Sequence, residues 1–318
     1  MFNIYLPIAD MSINLFLVVG IGGLVGFLSG LFGVGGGFLL TPLMMMIGIP
    51  PPVAAASDSN QIVAGASSGA FGHWRLGNVD VKMGSIILAG GITGGTLGVQ
   101  FVKYLRTVGN FEFTMKLVYV IMLGLVGGSM FVESLRSIRL AQKAPSSAGP
   151  HRAAAETSAP RAGSVFSRLP LQMHFTKSGI RTSAIFPFCI GMTVGILAAL
   201  LGVGGGFIMV PAMIYIIGMP TITAIGTDLF QIVITSANVT LQQAITNHTV
   251  DIGLALILLL GSTLGAQIGV RASRALRGEQ IRILLSIIVL ILMVKLLLDL
   301  VLTPDNLVSF AAGASGGH

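Results

Sequence analysis

Long apolar runs separated by short polar stretches make up most of this chain. Five lie in its first part, at Ile13 to Leu31, Gly36 to Ile49, Val53 to Gly72, Met83 to Leu105 and Phe113 to Val132. After a polar interval five more follow, at Ser183 to Leu201, Gly205 to Gly218, Ile222 to Ala244, Ile252 to Val270 and Ile281 to Val301. A bilayer's hydrocarbon core is about 30 Å thick and takes roughly 20 apolar residues to cross as a helix, and a run such as Ile252 to Val270 has that length. The pattern predicts an all-α integral membrane protein. The second run of each part is shorter: the fourteen residues from Gly36 to Ile49 make only ~21 Å of helix. Runs one and two of each part are therefore expected to form a broken-helix or re-entrant hairpin, and runs three to five to cross.

The break between runs one and two is the same in both parts. Gly33-Val34-Gly35-Gly36-Gly37-Phe38 precedes Pro42, and Gly202-Val203-Gly204-Gly205-Gly206-Phe207 precedes Pro211 at equal spacing. Further matches pair Pro50 with Pro220, Asp58 with Asp228, Gln61 with Gln231 and Asp80 with Asp251. Gly90, Gly94 and Gly98 pair with Gly261, Gly265 and Gly269. Such self-similarity predicts an internal duplication, divided as 1–133 (first membrane repeat), 134–182 (a basic loop), 183–302 (second membrane repeat) and 303–318 (a tail). The Gly-x-x-x-Gly patterns read as sites of close helix packing; Thr93, Thr96 and Gln267 beside them are within range of a central cavity.

Charge sharpens the topology. Only 9% of residues are charged, against about a quarter in soluble domains. The net charge of +7 reflects loop Lys and Arg rather than a nucleic-acid surface, following the positive-inside bias. If each half crosses an odd number of times, the halves are inverted and fourteen of the 18 Lys and Arg share one side. An even number leaves eleven against seven. The inverted arrangement fits better, with the loop cytoplasmic and the chain multi-pass. The start of the chain lacks a basic n-region, so the first run is expected to be a retained membrane segment. Cys189 is the single cysteine, which excludes an internal disulfide.

Flexible backbone at membrane depth is tolerated where protein buries it or where it lines a wet cavity, and paired breaks in two halves point to a transporter's binding site. Helix starts offer free N–H groups and a positive dipole end, so the backbones of Gly35, Gly36, Gly37, Gly204, Gly205 and Gly206 are candidate anion donors; the alternative is a packing kink. Polar groups follow each break: Ser57, Asp58, Ser59, Asn60 and Gln61, then Asp228 and Gln231. Ser59, Asn60, Gln61, Gln231 and Asn238 are candidate substrate ligands through their donors. Asp58 and Asp228 are read either as carriers of a coupling proton or as caps of the helices that begin after Pro52 and Pro220. Trp74 reads as an interface anchor, and Arg75 as a topology signal or an attractor of anions. No metal-ligand cluster, nucleophile elbow or P-loop is present in the sequence, so no cofactor, no metal and no enzyme activity is expected.

Gly-x-x-Ser-Gly-Leu-x-Gly-Val-Gly-Gly-Gly at Gly26 to Gly37, the following Pro42, the Ser-Asp-Ser-Asn-Gln patch and their second-half counterparts resemble the sulfite exporter TauE/SafE family, also called the toluene sulfonate uptake permease superfamily. The likeness runs from about Gly22 to Leu302; the long basic loop lies outside it. It implies a secondary transporter of small sulfur-containing anions, such as sulfite or organosulfonates, often working by export. From the paired breaks and the resemblance together, a monomeric or homodimeric carrier is expected, with alternating access to one midplane site. An anion channel would differ by unsaturable flux. A non-transporting scaffold would differ by flux that is insensitive to the glycines and glutamines.

Overall fold

The computed structural model describes residues 3–32, 37–143, 172–175, 177–273 and 278–302. A β-hairpin, β1 (Asn3–Leu6) and β2 (Met11–Asn14), is followed by α1 (Leu15–Phe32), α2 (Gly37–Met46), α3 (Pro51–Arg75), α4 (Val81–Thr107) and α5 (Phe111–Lys143). The same order then recurs. Strands β3 (Gln172–Phe175) and β4 (Ile180–Ser183) lead to α6 (Ile185–Leu201) and α7 (Gly206–Pro211), which widens into a π-helical turn at Ala212–Ile217. Next come α8 (Thr221–Gln242), with its own π turn at Gln243–Asn247, then α9 (Ile252–Ser273) and α10 (Gly278–Val301).

Five helical stretches are long and apolar enough to cross a membrane: Val81–Thr107, Phe111–Ser129, Thr221–Asn247, Ile252–Gly269 and Ile283–Val301. The 25-residue α3 is as long, but its Ser57 to Gln61 patch dilutes its hydropathy. Proline sets where α3 and α8 begin. Pro50 and Pro220 stand at the N-caps with φ −54° and −58°, and Pro51 and Pro52 open α3, where a missing N–H costs nothing. Two features depart from the apolar pattern. Helix α5 runs on to Lys143, and residues 172–183 of the basic stretch form the β3–β4 hairpin.

The main packing partners are α1 with α9, α4 with α6, α5 with α10 and α3 with α8. Exchanging each element of the first set for its counterpart leaves this pairing unchanged. Glycine makes the first two pairs tight. A Cβ on Gly195 would lie 2.5 Å from the Gly91 carbonyl oxygen, and one on Gly261 would lie 2.5 Å from that of Val19. The Gly-x-x-x-Gly patterns thus serve helix contact.

Each hairpin is fastened to the other part of the chain by a capping aspartate. Asp80 precedes α4, accepts from the Met83 amide (3.2 Å), and also accepts from the Ser178 amide (3.1 Å) and hydroxyl (2.5 Å) in the β3–β4 turn. Asp251 precedes α9, accepts from the Leu254 amide (3.0 Å), and takes a long contact from Ile8 N–H in the β1–β2 turn (3.4 Å). Both carboxylates are buried. A cap is worth about 1 kcal/mol and a hydrogen bond to a charged group about 1.5–3 kcal/mol. Asp80→Ala is therefore expected to destabilise by about 3 kcal/mol and Asp251→Ala by about 1–2 kcal/mol. Thermal unfolding of the detergent-solubilised variants checks the order; equal losses would mean the hairpin contacts contribute nothing.

Candidate functional site

The second glycine break is described throughout. Helix α6 stops at Leu201 because Gly202 turns left-handed (φ 74°), its N–H reaching back to the Ala198 carbonyl at 2.8 Å. Gly204 and Gly205 are also left-handed (φ 68° and 87°), a conformation open to glycine at little cost. Gly205 is the N-cap of α7 and offers no side chain to the free amides of its first turn. In the first break Gly37 opens α2; Gly35 and Gly36 lie outside the described residues.

The two helix starts sit side by side. Phe38 and Phe207, each one residue past the glycines, stack with centroids 4.1 Å apart and planes 6° from parallel. A carboxyl group faces each start. The position of a Cβ on Gly37 is 3.3 Å from Asp58 Oδ1, and that on Gly206 is 2.8 Å from Asp228 Oδ2. Beside the carboxyls the nearest atoms are apolar. Ile62 closes on Gly37 and Gly204, and Ile232 on Gly204 and Gly206, leaving no room for a methyl group at any of the three. The starts of α2 and α7 are thus neighbours, with Ile62 and Ile232 packed against them.

Asp58 and Asp228 lie within α3 and α8, more than a turn past the proline caps, and cap neither helix. The capping alternative is therefore excluded, and the aspartates that do cap are Asp80 and Asp251. Asp58 is fully buried and accepts from the Thr41 hydroxyl at 2.7 Å through Oδ2. Its Oδ1, like the hydroxyls of Ser57 and Ser236, has no hydrogen-bond partner among the described residues. Asp228 accepts from Gln231 Nε2 at 2.9 Å, and Gln231 Oε1 accepts from Thr235 at 3.1 Å.

The remaining candidates divide. Ser59 is buried and Asn60 half-buried. Gln61 donates to Ser262 on α9 at 2.7 Å, while the buried Gln231 bonds within its own helix. Position 262 has a hydroxyl where its first-half counterpart, Gly91, has none, and this difference separates the two glutamines. Asn238 lies further along α8, where its Oδ1 accepts from Gln242; Gln242 also reaches Thr96 at 2.7 Å. The Asn238 Nδ2 is buried without a hydrogen-bond partner among the described residues. Thr93 and Thr96 bond carbonyls of their own helix, and Gln267 is exposed. Arg75 lies over the Phe71 ring at 4.4 Å, and Trp74 leans on Phe230 at 5.7 Å. Thr41, Tyr119 and Ser262 belong to this neighbourhood without having been singled out in the sequence. A tyrosine in the middle of an apolar run was the one available signal, since a buried phenol needs a partner. A separate groove of about 310 Å³ lies between Ile4–Ile8 and Val250–Gly253, at the edge of the fold.

The sulfite exporter TauE/SafE family matches residues 18–296, nearly the whole membrane part. The chain belongs to this family. It is 27% identical over 293 residues to a Bacillus subtilis protein named Probable membrane transporter protein YjnA, covering 90% of this chain and all of the relative. It is 27% identical over 260 residues to a Xylella fastidiosa protein named Probable membrane transporter protein, covering 80% and 84%. A second B. subtilis relative, Probable membrane transporter protein YunE, is 25% identical over 298 residues, covering 91% and 98%. No solved structure matches significantly. The family is one of membrane transporters, not enzymes, and a multi-pass membrane protein accords with the five apolar helices.

Proposed function

We propose that this protein moves a small sulfur-containing anion, such as sulfite or an organosulfonate, by alternating access around the paired glycine breaks, with export as its working direction. The observation that carries this reading is the juxtaposition of the α2 and α7 starts through the Phe38–Phe207 stack, each start facing an aspartate. Two inverted repeats, each with a re-entrant pair (α1–α2 and α6–α7), account for the exchange-invariant helix pairing. They also account for the two glycine starts meeting at one place. The basic loop lies in the cytoplasm and the chain in a cell inner membrane, as one or two copies.

An anion held by amides at these starts stands next to Asp58 or Asp228. Like charges so close disfavour each other, so the anion is held best while the carboxyl carries a proton, and the two move together. Ile62 and Ile232, which pack against the glycines, must withdraw for this. Gln61, Gln231, Ser59, Asn60 and Asn238 then supply donors to the anion as their present bonds are exchanged.

Reconstituted protein is expected to accumulate labelled sulfite or a sulfonate in liposomes, saturably and with dependence on a proton gradient. Gln61→Ala together with Gln231→Ala is expected to lower uptake by at least about tenfold, the effect of losing roughly one hydrogen bond to a charged ligand, in protein that still elutes as a folded, monodisperse species. Uptake unchanged in the double variant would overturn the site. Unsaturable flux would make the protein a channel.

A further inference from the structure

The two β-hairpins are counterparts, yet their turns are held unequally. Leu6 and Phe175 end the first strand of each and are buried, and Asp10 and Gly179 close the two turns with left-handed φ of 50° and 67°. Each turn lies on a helix start capped by a buried aspartate. At the β3–β4 turn, Asp80 Oδ2 accepts from both the amide and the hydroxyl of Ser178, and Lys177 Nζ donates to the Gly77 carbonyl at 3.1 Å. The Asp80 amide in turn donates to Thr227 Oγ1 on α8 at 3.0 Å. Gly84 lets α4 close on the same threonine, since a Cβ there would lie 3.2 Å from Thr227 Cγ2. The hairpin, α4 and α8 are thus fastened together at one point.

The β1–β2 turn lacks each of these fastenings. Ala9 stands where the other turn has Ser178, and Ile8 where it has Lys177, so neither side chain can donate. The amide contact from Ile8 to Asp251 is 3.4 Å long, beyond the usual span of about 2.7–3.2 Å. Ser57 stands where α8 has Thr227, and its Oγ is buried with no hydrogen-bond partner among the described residues. No bond of that kind therefore ties the start of α9 to α3. Ala255 replaces Gly84. The groove of about 310 Å³ opens at this place, between Ile4–Ile8 of the hairpin and Val250–Gly253 at the helix start.

We propose that the β1–β2 turn is a lid that lifts from the start of α9 while the β3–β4 turn stays latched across α4 and α8, so that the fold opens first at its β1–β2 end. The proposal rests on the alternating-access reading, in which one end yields before the other. Hydrogen bonds to a carboxylate are the strong ones, and Ser178 gives two to Asp80 where Ala9 gives none to Asp251 from a side chain. Elements that move are drawn from the weakly held parts of a fold. The buried Leu6 keeps the strand anchored, so the tip swings and the groove widens. Asp251 keeps its cap on the Leu254 amide at 3.0 Å, so α9 itself stays whole. Ser57 precedes Asp58 as Thr227 precedes Asp228; the loose end and the firm end each adjoin, in sequence, one of the acids that face the glycine starts.

The test places a pair of spin labels across each hairpin and its helix start: Ile4→Cys with Ile252→Cys, and Met173→Cys with Val81→Cys. All four positions are exposed, and the pairs are counterparts. The exposed Cys189 is first removed as Cys189→Ser. Spin–spin distances are read by electron paramagnetic resonance in the full-length, detergent-solubilised protein without substrate. The parent protein is expected to give a narrow distribution for the Met173–Val81 pair and a broad one for the Ile4–Ile252 pair. Ser178→Ala, which makes the second turn like the first, is expected to raise the lifted fraction of the β3–β4 turn about tenfold, the effect of losing one hydrogen bond to a charged group. Thr227→Val is expected to broaden the same distribution, and Ala9→Ser to narrow that of the Ile4–Ile252 pair. Equal widths in the parent protein, a Ser178→Ala variant that stays narrow, or an Ala9→Ser variant that stays broad overturns the proposal. No substrate enters the measurement, so equal widths beside saturable uptake would remove the lid alone, and unequal widths without uptake the transport reading alone.

Discussion

Gly202→Ala is expected to lose about 2–6 kcal/mol of stability, combining left-handed backbone strain of about 1–3 kcal/mol with overpacking of about 1–3 kcal/mol. The residue sits at φ 74°, and an added Cβ would collide with the backbone of Ala55 on α3. A side chain can turn aside, but a helix backbone moves only with the helix, so relief requires parting α3 from the turn. Gly218 provides the control. It too is left-handed, at φ 84°, yet a Cβ there would meet nothing within 4 Å. Gly218→Ala is therefore expected to cost only the strain, about 1–3 kcal/mol, without the overpacking. Thermal unfolding followed by the fluorescence of Trp74, the single tryptophan, compares them. Equal losses would mean that the approach of the turn to α3 does not matter.

The second large effect is expected along α1. Gly26→Leu should abolish recovery of folded, monodisperse protein, whereas Gly20→Leu should be tolerated. A Cβ on Gly26 would overlap the backbone of Ser262 on α9, while one on Gly20 would meet nothing within 4 Å. Helix association in lipid depends on close van der Waals contact, because the apolar medium provides no hydrophobic drive between helices. A leucine wedge at Gly26 removes that contact along a main helix pair and so exceeds the usual overpacking cost of about 1–3 kcal/mol. Size-exclusion profiles of the two variants in the same detergent decide the matter. Equal recovery would show that α1 and α9 are not held by glycine contact.

These substitutions also show how far the sequence could be read. The membrane helices followed from run length, because a hydrocarbon solvent forces the backbone to satisfy itself within each segment. The glycine breaks and the family likeness were equally visible: three left-handed residues within four positions favour glycine, and Gly202, Gly204 and Gly205 stand at those three. The β-hairpins were not visible, since four-residue strands in polar stretches have no periodicity strong enough to detect. Capping was legible as a residue type, but it stood as one of two readings for Asp58 and Asp228, whereas the aspartates that cap are Asp80 and Asp251. A carboxyl's proximity in sequence to a helix start does not say which free amides it meets in space.

Sequence by itself determined that this chain lives in a bilayer, that its helices break at two glycine motifs, and that acids and amides follow each break. It could do so because these features depend on local backbone freedom and on transfer from water to lipid, both properties of short stretches. Tertiary structure alone decided that Phe38 lies on Phe207, that Asp58 meets Thr41 while Asp228 meets Gln231, and that Tyr119 reaches Leu201. Those partners come from different helices, and which side chains meet depends on how closely glycine lets each helix approach its neighbour.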